Sequence, residues 1–370
     1  MIIRGSNRAP RHFKRSETAS SPSWFCEEKS LFALSSLILL ASVWALAFAA
    51  STADFPFGPW TRASNEPILS PQGTTWESAG TFNPAVVFVP AKNQEKHKDS
   101  KFVMLYRAQD ASGTSRLGYA ESPDGLHFTR RPEPVLSPEA DYEKDGGVED
   151  PRLQKFGDTY YLTYTGYNKK DAQLCLATSR DLIHWDRKGV ILPAYKGNWN
   201  KGWTKSGAIV PEKIDGKYWM YWLGTAADKT DQMGLSYSTD LLHWTEATST
   251  PVLPRRPGKF DSRVVEPGPP SLLTERGIVL IYNGADDHLV YRTAVAVFDG
   301  RDPRRLLSRS DTPIFAPEKP WEKVGQVPNV VFVEGMVHKD NRYLFYYGGA
   351  DKYVGVAQAP ATAVTAFTKH

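Results

Sequence analysis

One internal repeat constrains this chain more than any other feature. The segment Ala120-Glu-Ser-Pro-Asp-Gly-Leu-His-Phe128 recurs as Ala177-Thr-Ser-Arg-Asp-Leu-Ile-His-Trp185 and as Ser236-Tyr-Ser-Thr-Asp-Leu-Leu-His-Trp244. Fainter echoes start at Ala296 and Ala357, which sets the five starting points 57, 59, 60 and 61 residues apart. A steady period of this size marks a repeat architecture, in which no single unit buries its apolar face alone. A pair of strand-like runs repeats with it: Asn83-Pro-Ala-Val-Val-Phe-Val with Phe102-Val-Met-Leu-Tyr, Asp150-Pro-Arg-Leu with Tyr160-Tyr-Leu-Thr-Tyr, Gly207-Ala-Ile-Val with Tyr218-Trp-Met-Tyr-Trp, Pro270-Ser-Leu-Leu with Ile278-Val-Leu-Ile-Tyr, and Gly335-Met-Val with Tyr343-Leu-Phe-Tyr-Tyr. Gly-Asp, Asp-Gly, Arg-Gly and Asp-Asn separate four of these pairs, which are hairpin signals. Each repeat predicts three to four short antiparallel strands. Five repeats predict an all-β, five-bladed β-propeller closed in a ring. A pair of β-sandwiches is the alternative, but it leaves five copies at one spacing unexplained.

The first fifty residues follow a different rule. Leu31 to Ala50 is an almost unbroken apolar run with basic residues before it. It ends in Ala45-Leu-Ala-Phe-Ala-Ala50, whose A-x-A patterns suit signal peptidase. Its length also suits one membrane crossing at roughly 1.5 Å per residue. Residues 1–50 are therefore expected to be a cleaved signal peptide or an anchor, 51–59 a linker, and 60–365 the propeller. Either version exports the body, since the basic side stays in the cytoplasm. The segment Lys92 to Lys101 reads as a charged, solvated hairpin tip. The formal net charge is +4, and the first 50 residues supply six Lys/Arg against three Asp/Glu. The remainder is nearly neutral, which gives no argument for a nucleic-acid partner. Cys26 and Cys175 lie on opposite sides of the apolar run, so no disulfide is expected, and Cys175 reads as core. No Cys/His metal spacing occurs, and no cofactor is expected. Oligomeric state is not legible.

In a propeller, the innermost strands line a central channel. The residues that open them, and those that follow the second strands, meet over one mouth. The openings carry Asn83, Asp150 with Arg152, Lys205, Glu266 and Glu334. The second-strand ends carry Arg107 with Asp110, Asn168, Asp228, Asp286 with Asp287, and Asp351. Turn chemistry explains a single Asp or Asn, and Asp150 has a structural alternative in a bond to nearby backbone or to Arg152. The set as a whole is not a packing pattern, because unpaired charges are expensive to bury. Carboxylates with aromatics nearby (Trp199, Trp203, Trp222, Tyr282) suit a sugar, since rings stack on its C–H faces. Two carboxyl groups flanking an anomeric carbon can cleave a glycoside. There is no nucleophile–His pair and no Gly-rich phosphate loop after a strand.

Several of these segments together resemble glycoside hydrolase family 130: Asn83-Pro-Ala, Tyr106-Arg-Ala-Gln-Asp110, Ser115-Arg-Leu-Gly-Tyr-Ala with Asp124-Gly, Glu149-Asp-Pro-Arg152, Lys205-Ser-Gly-Ala with Pro211-Glu-Lys-Ile, Gly268-Pro-Pro and Tyr347-Gly-Gly-Ala-Asp351. The resemblance runs from about residue 60 to 360 and implies a five-bladed propeller that cleaves β-mannosides with inversion, by phosphorolysis or by hydrolysis. It implies Asp110 as the general acid, acting through a hydroxyl of the mannose. It implies Asn83, Arg107 and Asp351 as holders of the sugar, with Asp150 and Tyr282 expected to share in binding it.

The departures from the pattern shift the expected chemistry. The resemblance assigns phosphate to a basic group that includes Arg152 and Lys205. A usual His-Arg pair is missing after Trp219-Met-Tyr221-Trp222, and Asn283 stands where a Tyr-His-Gly histidine is usual. Glu266 and Glu334 add carboxylates. Like charges a few ångströms apart repel a dianion strongly when desolvated, and a carboxylate can activate water. The expected function is an exported inverting β-mannosidase for β-1,2-linked manno-oligosaccharides, with Asp110 as acid and Glu266, assisted or replaced by Glu334, as base. Phosphorolysis, a non-enzymatic glycan-binding propeller and an arabinan- or fructan-cleaving propeller remain as alternatives. Asn83 argues against the last, which would normally carry an acid there.

Overall fold

The recurring apolar runs become strands with few exposed residues because neighbouring sheets cover both of their faces. The computed structural model describes Phe57, residues 59–91 and residues 100–361. The chain divides into Met1–Asp54 and Phe55–His370. The export readings of residues 31–50, together with Cys26, lie outside the described residues, as do residues 92–99 of the charged tip. No helix among the described residues is long and apolar enough to cross a membrane.

Strand β1 (Thr61–Arg62) comes first in the chain and pairs last. Then β2 (Gly80–Val89), β3 (Lys101–Gln109), β4 (Ser115–Ser122) and β5 (Thr129–Arg130) form an antiparallel group. A second group holds β6 (Gly147–Phe156), β7 (Thr159–Tyr167), β8 (Ala172–Ser179) and β9 (Asp186–Leu192). A third holds β10 (Thr204–Ile209), β11 (Tyr218–Thr225), β12 (Asp231–Ser238) and β13 (Thr245–Glu246). In the fourth, β14 (Val264–Pro267) and β15 (Leu272–Thr274) share one edge of β16 (Gly277–Ala285), followed by β17 (Tyr291–Phe298) and β18 (Leu306–Arg309). After the short helix α1 (Pro320–Lys323), β19 (Val331–Lys339), β20 (Arg342–Gly349) and β21 (Tyr353–Pro360) form the last group, and β1 supplies its outer strand.

The core lies between consecutive groups. Val103, Leu105 and Tyr119 pack on Leu153, Leu162 and Tyr164. Corresponding layers join the second group to the third, the third to the fourth and the fourth to the last. A further layer, with Met104 and Phe102 against Leu344 and Tyr346, joins the last group to the first.

Two repeated polar devices hold these layers. The Ser-x-Asp-x-x-His segments fold identically after β4, β8 and β12. Asp124 Oδ1 accepts the backbone N–H groups of Leu126 and His127, and Oδ2 sits 2.7 Å from His127 Nδ1. Asp181 with His184 and Asp240 with His243 copy this. The repeat that organises the sequence is thus a turn device and not part of a site. The second device is a buried tyrosine–acid–arginine clasp. Tyr106 and Arg130 share Glu77, Tyr164 and Arg187 share Glu143, Tyr282 and Arg309 share Asp261, and Tyr347 and Arg62 share Glu322, all within 2.6–3.1 Å. Each charge is paired and hydrogen-bonded, the condition under which burial is tolerable.

Candidate active site

Four innermost strands slip register at corresponding points: between Phe82 and Pro84, Glu149 and Arg152, Lys205 and Ala208, and Val333 and Gly335. A β-bulge re-aims the extra side chain. The bulged residues include Asn83, Asp150 and Ser206, at φ 48°, 52° and 59°, and Glu334. Asp351, just past β20, has φ 49°. Positive φ is uncommon outside glycine, although Asn and Asp tolerate it. Such strain tends to collect at functional sites.

The bulges bring charged groups together. Asn83 Nδ2 donates to Asp150 Oδ1 at 2.8 Å, and Arg107 Nη1 donates to the same oxygen at 3.0 Å. Asp150 Oδ2 is thereby left for a ligand. Arg107 Nη2 reaches Glu149 Oε1 at 2.6 Å, and Ser115 Oγ reaches that oxygen at 3.1 Å. The guanidinium also lies 4.7 Å from the Phe82 ring centre. Gly348 permits this packing: a Cβ there would sit 2.3 Å from Asn83 Oδ1.

The ammonium of Lys205 has no hydrogen bond or ion pair among the described residues, yet it lies in the field of Glu266, Asp150 and Glu149. Glu266 accepts a short hydrogen bond from Ser206 Oγ. Glu334 Oε1 lies 2.7 Å from Arg152 Nη1 without hydrogen-bond geometry. Burial pushes the carboxyl groups of Glu149, Glu266 and Glu334 upward, and that of Asp351 up to about 6. Asp150 is buried too, but Arg107, Lys205 and Asn83 outweigh the burial and hold it at about 2. Asp150 is the centre of the cluster, since its charge acts on Glu149, Glu266, Glu334 and Asp351 alike.

Seven residues expected at the mouth are therefore brought together: Asn83, Arg107, Asp150, Lys205, Glu266, Glu334 and Asp351. Arg152 joins them in a different role. Its Nε and Nη2 donate to the carbonyls of Gly268 and Pro267 at 2.8 and 2.7 Å, and Nη1 faces Glu334. With its nitrogens so engaged, it braces two innermost strands and has little left for a ligand.

Asp110 and Tyr282 lie apart from this cluster, unlike their expected place at the mouth. Asp110 folds into the turn after β3, where Oδ1 accepts the N–H groups of Ser112 and Thr114 and Oδ2 takes Arg116 at 2.8 Å. Against slight burial, these bonds hold it at about 2. Asp286 with Arg292 repeats the arrangement in the fourth group, and Asp228 takes Thr230 and Arg255. Asp110 is thus a turn residue paired away from the cluster. The Tyr282 hydroxyl is fully buried in the Asp261 clasp. Trp199 and Trp222 stack on each other inside the protein, with ring centres 5.3 Å apart, so neither offers a face to a sugar at this mouth.

Glu149, Ser115, Ser206 and Tyr291 are additions. The first three lie inside motifs that the sequence already marks. Tyr291 opens a third strand, where no polar repeat points to it, and its hydroxyl lies in the field of Glu266, Asp351, Asp231 and Asp150. No group of metal-binding side chains occurs among the described residues.

Comparison with known proteins shows the family. The model of glycoside hydrolase family 130, described as β-1,4-mannooligosaccharide phosphorylase, matches residues 59–370. A 1,2-β-oligomannan phosphorylase of Thermoanaerobacter sp. (strain X514) is 38% identical over 307 residues, covering 80% of this chain and 95% of its own. A β-1,2-mannobiose phosphorylase of the same organism is 34% identical, covering 80% and 96%. A solved structure superposes with TM-score 0.74 at 36% identity, covering 85% of this chain and 98% of its own. Its description states that the family of mannoside phosphorylases contains glycoside hydrolases that target β-1,2 mannosidic linkages in Candida mannan.

Proposed function

Because the chain belongs to glycoside hydrolase family 130, we propose that it cleaves β-1,2-linked manno-oligosaccharides with inversion, using inorganic phosphate as the acceptor. The five strand groups, with a core between each pair of neighbours, support a five-bladed propeller whose innermost strands meet at the Asp150 cluster. The sequence favours water as acceptor; the phosphorylases among the relatives favour phosphate. The observation that carries the phosphate reading is Lys205, whose half-buried ammonium enters the cluster with no hydrogen bond or ion pair among the described residues, although Glu266, Asp150, Glu149 and Asp231 act on it from a distance. A cation with free donors is a ready site for an anion.

In this reading Asn83, Arg107 and Asp351 hold the sugar beside Asp150. A phosphate oxygen attacks the anomeric carbon from the face opposite the leaving oxygen. The C–O bond breaks, and Asp150 in place of Asp110 supplies the leaving oxygen with its proton, directly or through a sugar hydroxyl. The products are α-mannose 1-phosphate and a shortened glycan. Phosphate on Lys205 cancels one of the fields that depress Asp150 and so lifts its proton affinity toward that of a working acid.

Water is the second reading, and one observation favours it. Five carboxyl groups (Glu149, Asp150, Glu266, Glu334, Asp351) face Arg107, Lys205 and an Arg152 whose nitrogens are engaged, an environment unfavourable to a dianion. Glu266 would then be the base. Incubating β-1,2-mannobiose with and without phosphate decides between them. Mannose 1-phosphate formed only with phosphate supports the main reading. Free mannose formed equally without phosphate replaces it with hydrolysis.

A further inference from the structure

The third strand group lacks the clasp that the other four share. Register identifies the equivalent positions. Arg130, Arg187, Arg309 and Arg62 pair with Ala120, Ala177, Ala296 and Ala357, and in the third group Glu246 pairs with Ser236. Two residues earlier on those strands, Tyr106, Tyr164, Tyr282 and Tyr347 face Gly118, Cys175, Ala294 and Gly355, and Trp222 faces Gly234. The acid that precedes each innermost strand is Glu77, Glu143, Asp261 or Glu322 elsewhere. Here an amide, Asn200, stands in its place, fully buried and, among the described residues, hydrogen-bonded through its side chain only to Gly202.

These replacements leave a cavity of about 340 Å³ lined by Trp222, Glu246, Asn200, Thr204, Trp244 and Lys196. Pockets that hold small ligands start near this size, about 300 Å³. Trp222 is 1% exposed, and its Nε1–H has no partner among the described residues; neither has Oε1 of the half-buried Glu246, nor Nε1 of Trp199, which stacks on Trp222 behind the cavity wall. Glu246 Oε2 accepts the Asn198 N–H at 2.6 Å, which fixes the carboxylate. Buried polar atoms are almost always paired, so each orphan calls for an explanation. A cation would satisfy only the carboxylate. A hydroxyl-rich neutral ring satisfies a carboxylate acceptor and indole donors together, and aromatic side chains suit its C–H faces.

We propose that this cavity is an accessory carbohydrate site, distinct from the Asp150 cluster, that takes one pyranose unit of the substrate glycan. The identity of the sugar rests on the mannoside reading above; the site itself does not.

The test follows indole N–H resonances of the full chain, labelled with ¹⁵N and held in a sugar-free detergent, with Trp222→Phe assigning the signal. Millimolar β-1,2-mannobiose is expected to shift the Trp222 signal to saturation in the wild type and in Asp150→Asn alike. The triple change Asn200→Glu, Trp222→Tyr and Glu246→Arg installs the clasp of the other four groups. It is expected to leave turnover of mannobiose unchanged and to abolish binding at this site, read as loss of the response of Trp244. Glu246→Gln is the milder variant if the triple change fails to fold, and it is expected to weaken the Trp222 titration several-fold. A Trp222 signal that stays still while mannobiose is turned over overturns the proposal and leaves a water-filled pocket. A Trp222 shift in a protein that cleaves no β-mannoside removes the proposed function and keeps the site.

Discussion

Replacing Asp150 by Asn tests the assignment of the acid with little structural noise. The amide is isosteric, and its oxygen can still accept from Asn83 and Arg107. Asn also tolerates φ 52° as Asp does. Arg107 keeps its 2.6 Å contact with Glu149, so its guanidinium is not stranded, and Lys205 keeps the fields of Glu266 and Glu149. The fold should persist, with a melting temperature within a few degrees of wild type. What disappears is the proton, and general acids typically contribute about 10²–10⁴ in rate. Initial rates on β-1,2-mannobiose should therefore fall by about 10²–10⁴ in kcat, with KM changing little. Asp110→Asn should show the reverse pattern, with kcat within a few-fold of wild type and a lower melting temperature from weakened Ser112, Thr114 and Arg116 contacts. If Asp150→Asn turns over normally and Asp110→Asn is dead, the reassignment is wrong. If Asp351→Asn alone loses the rate with unchanged KM, the acid is Asp351, whose carboxyl at about 6 is otherwise suited to the task.

Other outcomes follow from the same geometry. Arg152→Ala strands the buried Glu334 and two carbonyls, and should cost about 3–5 kcal/mol in denaturant unfolding, the usual penalty for breaking a buried pair; a loss below 1 kcal/mol would show that the brace carries little. Asp351 has a folded pKa raised to about 6, so its contribution to stability is complete below its ordinary value and is lost as pH rises through about 6. Asp351→Asn should accordingly flatten the fall in melting temperature between about pH 4 and 6, and an unchanged profile would refute the shift. Export predicts recovery outside the cytoplasm in a secreting host; an intact N-terminus on a soluble cytoplasmic protein would sink both the signal-peptide and the anchor readings.

Much of the site was legible because a repeat gives each position five chances to be seen. Asn83, Asp150 and Glu334 occupy one register, with Lys205 one residue before it on its own strand, and the residues that break the pattern of turns and cores stand out there. Asp110 is hard to place from sequence because a turn aspartate and a catalytic one look alike in a motif; the bonds to Ser112, Thr114 and Arg116 are what the structure adds. Tyr282 was misread because β16 is buried on both faces, so its aromatic run carries no outward side. Arg152 is expected from sequence to hold phosphate because the carbonyls that engage it are 115 and 116 residues away. The clasps were invisible for the same reason, with Arg62 and Glu322 separated by 260 positions.

The pairing of β1 with β21 also sets an order in time. Thr61 is among the first described residues to leave the ribosome, and Gln358, its partner, is among the last. At roughly 5–20 residues per second, about 15–60 s of synthesis separates the two. Until then the edge of β21 has no partner because it does not exist, and β1 must wait without its sheet. The final group is thus a latch that a nascent or truncated chain cannot close, and a circular permutation that carried β1 to the far end would let the latch form from contiguous sequence.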